Sequence, residues 1–570
     1  MPDLDLDAET NAIWHLLLDA NKATEEQLTE IYEEHQRTGK AFTAVLYNYG
    51  IVTEDDLMTM IAENLGTEVV KLKEIDISKD IIKKVSAATA RMYGVIPVRE
   101  EFDTLFVAAR DPMNFRMIDE LHYVVGMDCR VLVAKPNEIE AGLDHFYPEK
   151  ADSVKDVLQE MEGADLHSIT EADSDDAASL EAMASNAPIV RFVDVILYQA
   201  VKDQASDVHF EPFGDEFRIR YRIDGALYEM APPPKHLAVP VISRVKVLSG
   251  LNIAERRLPQ DGRIELRIGG RPIDLRVSTL PTRYGESVVL RVLDREVVAL
   301  DLENLGMDQQ LLRGVRGVIE RPNGIFVVTG PTGSGKTTTL YSCLKEVNDP
   351  QDKLLTAEDP VEYNIEGIIQ VPVKESVGMT FARALRAFLR QDPDIIMLGE
   401  VRDLETARMA IQASLTGHFV LSTLHTNDAP GAVTRLIDMG VEPFLISSTL
   451  IAVLSQRLIR RVCKNCRVEY EPEDAELTLM NLTRDDIGGR KFSYGKGCEV
   501  CSNTGYKGRL GLYEFMFVSR AIREQINKRQ PTSVIREKAV QEGMVSMRLN
   551  GVKAIMDGIT TVEEVVKYTS

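Results

Sequence analysis

The sequence predicts a multidomain α/β protein, and three observations carry that prediction. At 570 residues the chain exceeds what one hydrophobic core serves, so roughly three or four domains are expected. Residues 325–337 read Ile-Phe-Val-Val-Thr-Gly-Pro-Thr-Gly-Ser-Gly-Lys-Thr, an apolar strand running into a glycine-rich loop. Cys463-x-x-Cys466 and Cys498-x-x-Cys501 form a double pair whose spacing suits a bound metal ion.

The loop Gly330-Pro331-Thr332-Gly333-Ser334-Gly335-Lys336-Thr337-Thr338 fills every position of the phosphate-binding pattern. Its glycines let backbone N–H groups curl around phosphates. Lys336 neutralises their charge, and the Thr337 hydroxyl suits Mg²⁺. Leu340, Cys343, Leu344 and Val347 follow at i, i+3, i+4 and i+7, a helix whose positive end faces the anion. The core is therefore expected to bind a nucleotide's phosphates with Mg²⁺.

No apolar run approaches the roughly 20 residues that span a bilayer. The start, Met-Pro-Asp-Leu-Asp-Leu-Asp, is acidic where a secretory signal is basic. A cytoplasmic location is expected, with membrane association only through partners. Net charge −23 argues against a general nucleic-acid binder. In that compartment four paired cysteines suggest structural Zn²⁺ held by thiolates, whereas Cys129 and Cys343 stand alone as core residues.

From the amino end, residues 12–66 hold a weak repeat. Leu17, Thr24, Glu25 and Leu28 recur 29 positions later as Leu46, Thr53, Glu54 and Leu57, each copy reading as a helix–turn–helix. With strand-like pieces at 104–109 and 129–134, residues 1–148 form an α+β domain. Residues 149–187, with Glu171, Asp173, Asp175 and Asp176, read as an acidic linker with at most a transient helix. Residues 188–300 combine helices at 190–202 and 236–251 with strands at 217–223, 264–268, 273–278 and 287–293. The core spans 301–460, the tetracysteine region 461–512 and a helical tail 513–570.

Asp394-Ile-Ile-Met-Leu-Gly-Glu400 is a buried-strand pattern that delivers Glu400 to the metal or its water. Glu358, Asp359 and Glu362 cluster in Thr356-Ala-Glu-Asp-Pro-Val-Glu362; a solvated acidic patch and a water-activating carboxylate are evenly matched there. His418 and His425 bracket a strand, with Thr423, Thr426 and Asn427 nearby, and suggest a γ-phosphate sensor. Arg276, Arg291, Arg386, Arg390 and Arg402 are candidates to stabilise transition-state charge.

Residues 188–570 resemble one family closely, the secretion ATPases of type II secretion and type IV pilus assembly (the GspE/PilB group). The resemblance rests on Arg220-Tyr-Arg-Ile-Asp-Gly225, Ile253-Ala-Glu-Arg-Arg-Leu-Pro-Gln-Asp-Gly-Arg263, Asp274-Leu-Arg-Val-Ser-Thr-Leu-Pro281 and Gly285-Glu-Ser287. Further on it rests on the stretches 391–403 and 416–428. It implies a RecA-like core at 301–460 preceded by an N2-type α/β domain at 188–300. It also implies that Lys336 and Thr337 are the phosphate-loop pair and Glu400 the second-motif glutamate. By the same resemblance Glu362 activates water with Glu358 in support, His418 and His425 form the histidine box, and Arg276, Arg291, Arg386 and Arg390 contact nucleotide.

Such relatives are ring hexamers that act on an inner-membrane platform protein, so a homo-hexamer, that partner and a membrane-linked docking protein are expected. The paired cysteines favour assembly-type members. Some of these carry an Arg-Leu-Gly triplet before each helix–turn–helix for cyclic-di-GMP. Here the aligned places hold Ala12-Ile13-Trp14 and Ala41-Phe42-Thr43, although Arg37-Thr-Gly39 lies nearby. The amino-terminal domain therefore reads as a docking module with a degenerate repeat, and cyclic-di-GMP is not expected. Two other functions compete with the motor: a nucleotide-binding scaffold with little hydrolysis, and a DNA-uptake or conjugation-type motor.

Overall fold

A computed structural model describes residues 8–38, 41–75, 77–114, 117–118, 121–122, 125–147, 177–230, 232–268, 271–294 and 300–569. Gly39 and the acidic residues Glu171, Asp173, Asp175 and Asp176 lie outside that set. The chain divides into two compact units, Met1–Val297 and Val298–Ser570.

The first unit opens with the repeat. Helices Ala8–Asp19 and Glu25–Thr38 form one helix–turn–helix, Phe42–Asn48 and Glu54–Leu65 the other. Leu17, Leu28, Leu46 and Leu57 are all fully buried in one cluster. The repeated threonines start the second helix of each copy. Thr24 exchanges hydrogen bonds with Gln27, and Thr53 does the same with Asp56, the reciprocal arrangement that satisfies otherwise orphaned N–H groups. Trp14 stacks on Phe42 with ring centroids 6.3 Å apart, and both rings, with Ile13, are buried in that cluster.

A three-stranded sheet, Val95–Glu101, Thr104–Ala109 and Asp128–Val133, follows with its own core. Helix Ala177–Ala184 then corrects the linker. Leu180, Met183 and Ala184 recur at i, i+3 and i+4, are buried, and pack the helix on Ala238–Leu248. This helix lies within the stretch 149–187 and starts eleven residues before Pro188.

The rest of this unit is a six-stranded antiparallel sheet in the order 226–229, 217–223, 207–212, 285–294, 271–282, 260–268. Alternation such as Phe217-Arg-Ile-Arg-Tyr-Arg-Ile223 buries one face against helices Ala187–Lys202 and Ala238–Leu248. Lys246, only 1 % exposed, donates to Glu286 at 2.8 and 3.0 Å and to the Glu255 carbonyl at 2.7 Å. That buried pair explains Glu286 in the Gly285-Glu-Ser287 segment and ties down the loop bearing Arg256 and Arg257.

The second unit holds a seven-stranded sheet in the order 368–372, 354–358, 395–398, 419–424, 324–329, 450–462, 506–517. All neighbours are parallel except the last pair. Both faces are covered, which is why Gly324–Thr329 and Phe419–Leu424 are buried at every position.

Boundaries at 460/461 and 512/513 fall inside the paired strands Leu450–Val462 and Tyr506–Phe517. The tetracysteine region is thus an excursion between two adjacent strands of the core sheet. The tail joins the same cores, Ile522, Ile526 and Ile535 packing with Val453 and Met516. Among the described residues no helix is long and apolar enough to cross a membrane.

Candidate active site at the carboxyl edge of the parallel sheet

Strands of a parallel sheet point their carboxyl ends the same way, and ligands bind outside that edge. Strand Gly324–Thr329 ends there in the loop 330–335, and helix Lys336–Glu346 starts there. Gly330 has φ 148°, and a Cβ on it would meet the Gln456 carbonyl at 2.5 Å. Gly335 caps the helix at φ 88°, with Gln456 Nε2 within 3.2 Å of where its Cβ would stand.

Gln456, buried on the neighbouring strand, therefore braces the loop from beneath. It donates to the Ser334 carbonyl at 2.7 Å and accepts from Thr339 Oγ1 at 2.8 Å. Sequence reasoning missed it. The available signal was Ser455-Gln-Arg457 interrupting an apolar strand, since buried polar residues need partners.

Lys336 Nζ donates to the carbonyls of Gly330 and Pro331 at 2.9 and 3.0 Å. Burial holds it below the ordinary lysine value, with Glu400 opposing and Arg457 adding to that effect. Thr337, Pro331, Thr332 and Gly333 are exposed at the loop surface, where an anion would lie.

Glu400 stands two residues beyond strand Ile395–Leu398, on the same edge. His425 Nε2 donates to it at 3.2 Å, and Arg402 pairs with its other oxygen. Burial pushes this carboxyl upward, but Arg402 and His425 outweigh burial and hold it below its usual range. An ionised acid beside Lys336 and Thr337 fits a Mg²⁺-nucleotide.

Thr329 locks the His425 loop to the phosphate loop: its hydroxyl donates to the Leu424 carbonyl at 3.0 Å and accepts from Thr426 N–H at 2.9 Å. Thr423 donates to the Gly399 carbonyl at 2.7 Å, and Arg457 donates to Asn427 at 3.0 Å.

Other expected residues stand elsewhere. His418 precedes strand Phe419–Leu424, about 20 Å from His425 at ~3.3 Å per residue. Its Nδ1–H donates to the Ala413 carbonyl at 2.8 Å, and its own carbonyl accepts from Gly324 N–H at 3.3 Å. It closes the end of helix Leu404–Leu415 on the edge opposite the loop, so the two histidines do not form one sensor within this chain. Glu358 is 3 % exposed and its carboxylate accepts from Tyr341, Thr356 and Gln370. Glu362 is half-buried, with its backbone N–H on Tyr341 Oη at 3.2 Å. Arg386 pairs with Glu405, and Arg390 donates to the Arg386 carbonyl at 2.8 Å.

Arg276 and Arg291 lie in the first unit, directly opposite one another on adjacent strands. The row continues on both sides: Arg263 is opposite Arg276, Asp207 opposite Arg291 and Arg222 opposite Asp207. Like charges directly opposite are destabilising, and Asp207 is the row's single acid, 3.2 Å from Arg291 and 3.5 Å from Arg222. Beside the row, Asp274 and Glu265 pair with Arg263 at 2.9 and 3.0 Å, so that face of the sheet carries charges of both signs.

The four cysteine sulfurs lie within 4.8 Å of one another. Measured edges are 3.9 Å for Cys463–Cys498, 3.8 Å for Cys466–Cys501 and 3.7 Å for Cys498–Cys501. Four sulfurs at about 2.3 Å from a tetrahedral Zn²⁺ are separated by ~3.8 Å, so the thiols fit that ion. Asn465 donates to Cys498 at 3.3 Å and lowers it to about 6, whereas burial raises Cys466 to about 12.

Comparison with known proteins matches residues 182–567 to the family described as type II/IV secretion system protein, and residues 65–153 to the MshEN domain. The type IV pilus assembly ATPase PilB of Myxococcus xanthus is 42% identical over 97% of this chain and 98% of its own length. The type II secretion system protein E of Xanthomonas campestris pv. campestris is 40% identical over 99% of each. The crystal structure of the Legionella pneumophila ATPase DotB, 21% identical, covers 66% of this chain and 94% of its own at a TM-score of 0.50, a likeness of fold alone.

Proposed function

As a member of the type II/IV secretion system protein family this chain is an ATPase, and we propose that it is a ring-forming motor. In that role it drives assembly of a type IV pilus or of the type II secretion pseudopilus. The observation that carries the reading is the convergence of Lys336, Thr337, Glu400 and His425 on one edge of a parallel sheet.

In this reading the backbone N–H groups of the loop 330–337 cradle the phosphates and Lys336 neutralises them. Thr337 and Glu400 would hold Mg²⁺ directly or through water, and that ion would neutralise charge developing on the phosphate oxygens. Glu362 orients the attacking water and takes its proton. His425, fixed by Glu400 and by the Thr329–Thr426 bonds, reports the γ-phosphate to the strand edge. The arginine row centred on Arg276 and Arg291 supplies positive charge from the first unit, within a subunit or across a ring. Arg386 and Arg390 serve a neighbouring subunit or remain structural.

A homo-hexamer, an inner-membrane platform protein and a membrane-linked docking partner for residues 1–148 complete the proposal. The protein then works from the cytoplasm, at the inner membrane through those partners. Cys463, Cys466, Cys498 and Cys501 would hold Zn²⁺ as a structural cross-link. ATP turnover and particle mass, measured with and without nucleotide, test the proposal. A monomer under all nucleotide conditions, or turnover unaffected by Lys336→Ala, sinks it.

A further inference from the structure

We propose that Tyr341 is a positioning residue: its hydroxyl, fixed by Glu358, sets the backbone of Glu362 against the phosphate-loop helix. Glu358 on this view acts through Tyr341 and not on water. The inference rests on the active-site assignment above.

The hydrogen-bond directions are determined by chemistry. A phenol has one proton, and Tyr341 donates it to Glu358 Oε2. The lone pairs of the hydroxyl then face the Glu362 N–H, which donates to it at 3.2 Å. Glu358 Oε1 is taken by Thr356 Oγ1 and by Gln370 Nε2 at 3.0 Å. With three donors around a buried carboxylate, Glu358 is the anchor of the group and is poorly placed to take a proton from water.

Gln370 completes the fastening. Its Nε2 also donates to the Tyr363 carbonyl at 3.0 Å, and its Oε1 accepts from Ile365 N–H at 2.8 Å. Tyr363 lies edge-on to Tyr341 at 6.1 Å and 78°. The segment carrying Glu362 is thereby held between one edge strand and one helix. Tyr341 follows Thr337 by four residues, on the same face of helix Lys336–Glu346. A shift of that helix when the loop grips phosphate reaches Glu362 through a single hydroxyl.

The test is a double-mutant cycle on the full-length protein, reading kcat for ATP and the Kd of a fluorescent ATP analogue. Tyr341→Phe keeps the ring and removes the hydroxyl. It should leave Kd within about twofold and lower kcat roughly tenfold, the scale of one orienting hydrogen bond. Adding Glu358→Gln should cost nothing beyond the larger single loss, because both act along one path. Unchanged kcat in Tyr341→Phe, or losses that multiply, overturns the proposal.

Should Tyr341→Phe fail to fold, Thr356→Val removes one donor to Glu358 without touching the Glu362 segment. A kcat about threefold lower at constant Kd supports the relay, and an unchanged kcat refutes it. Lys336→Ala, run alongside, separates the two levels. Turnover surviving that change would mean the site itself is misplaced, whereas an inert Lys336→Ala beside a fully active Tyr341→Phe removes only the relay.

Discussion

The two large sheets place their chemistry in different ways. In the parallel sheet of the second unit every strand near the loop is covered on both faces, so the polar side chains Lys336, Glu400 and His425 sit beyond the strand ends. In the antiparallel sheet of the first unit one face is core and the other solvated, so the arginines stand mid-strand, on alternate residues. A parallel sheet offers a rim to a ligand and a half-covered antiparallel sheet offers a surface. The rim holds groups in fixed geometry, which suits bond cleavage; the surface spreads charge, which suits electrostatic stabilisation.

That contrast orders the expected effects. Lys336→Ala at the rim should lower ATP turnover at least roughly 10³-fold, since positioning and charge neutralisation fail together. Glu400→Gln keeps shape and removes charge, and a fall of about 10²-fold with nucleotide Kd nearly unchanged is expected in steady-state assays. Wild-type turnover in that variant would remove Glu400 from the mechanism.

Arg276→Ala on the open face should cost about tenfold in turnover. As a substitution on the solvated face, it should change stability by no more than ~0.5 kcal/mol in thermal unfolding. A large loss of stability with full activity would reverse the distinction between rim and surface. Cys463→Ser should affect turnover least, within about twofold, while zinc content by atomic absorption falls and residues 461–505 become protease-sensitive.

Legibility followed the same division. Apolar runs ending in Gly330 and Glu400 announced the rim strands, and the alternation in 217–223 announced that one strand of the other sheet with the bounds observed. Thr356-Ala-Glu358 did not read as a strand, because Glu358 is tolerable inside only when Tyr341, Thr356 and Gln370 surround it. Those donors come from sites up to 17 residues away in the chain. Helix Ala177–Ala184 was hidden by its acidic surroundings, though its own apolar spacing was present. Tyr506–Phe517 was divided between two regions, because its partner strand ends 44 residues earlier, at Val462.

By itself the amino-acid sequence determined the phosphate loop, the strand that bears Glu400, the four-cysteine set and the doubled helix–turn–helix. Each is a local pattern whose physics is complete within a few neighbouring residues. Only the tertiary structure decided that His425 joins the loop while His418 closes the far edge, that Gln456 and Tyr341 brace the site, and that four arginines align across adjacent strands. Strand direction, sheet order and register decide those facts, and they depend on which distant segments bury one another's apolar faces.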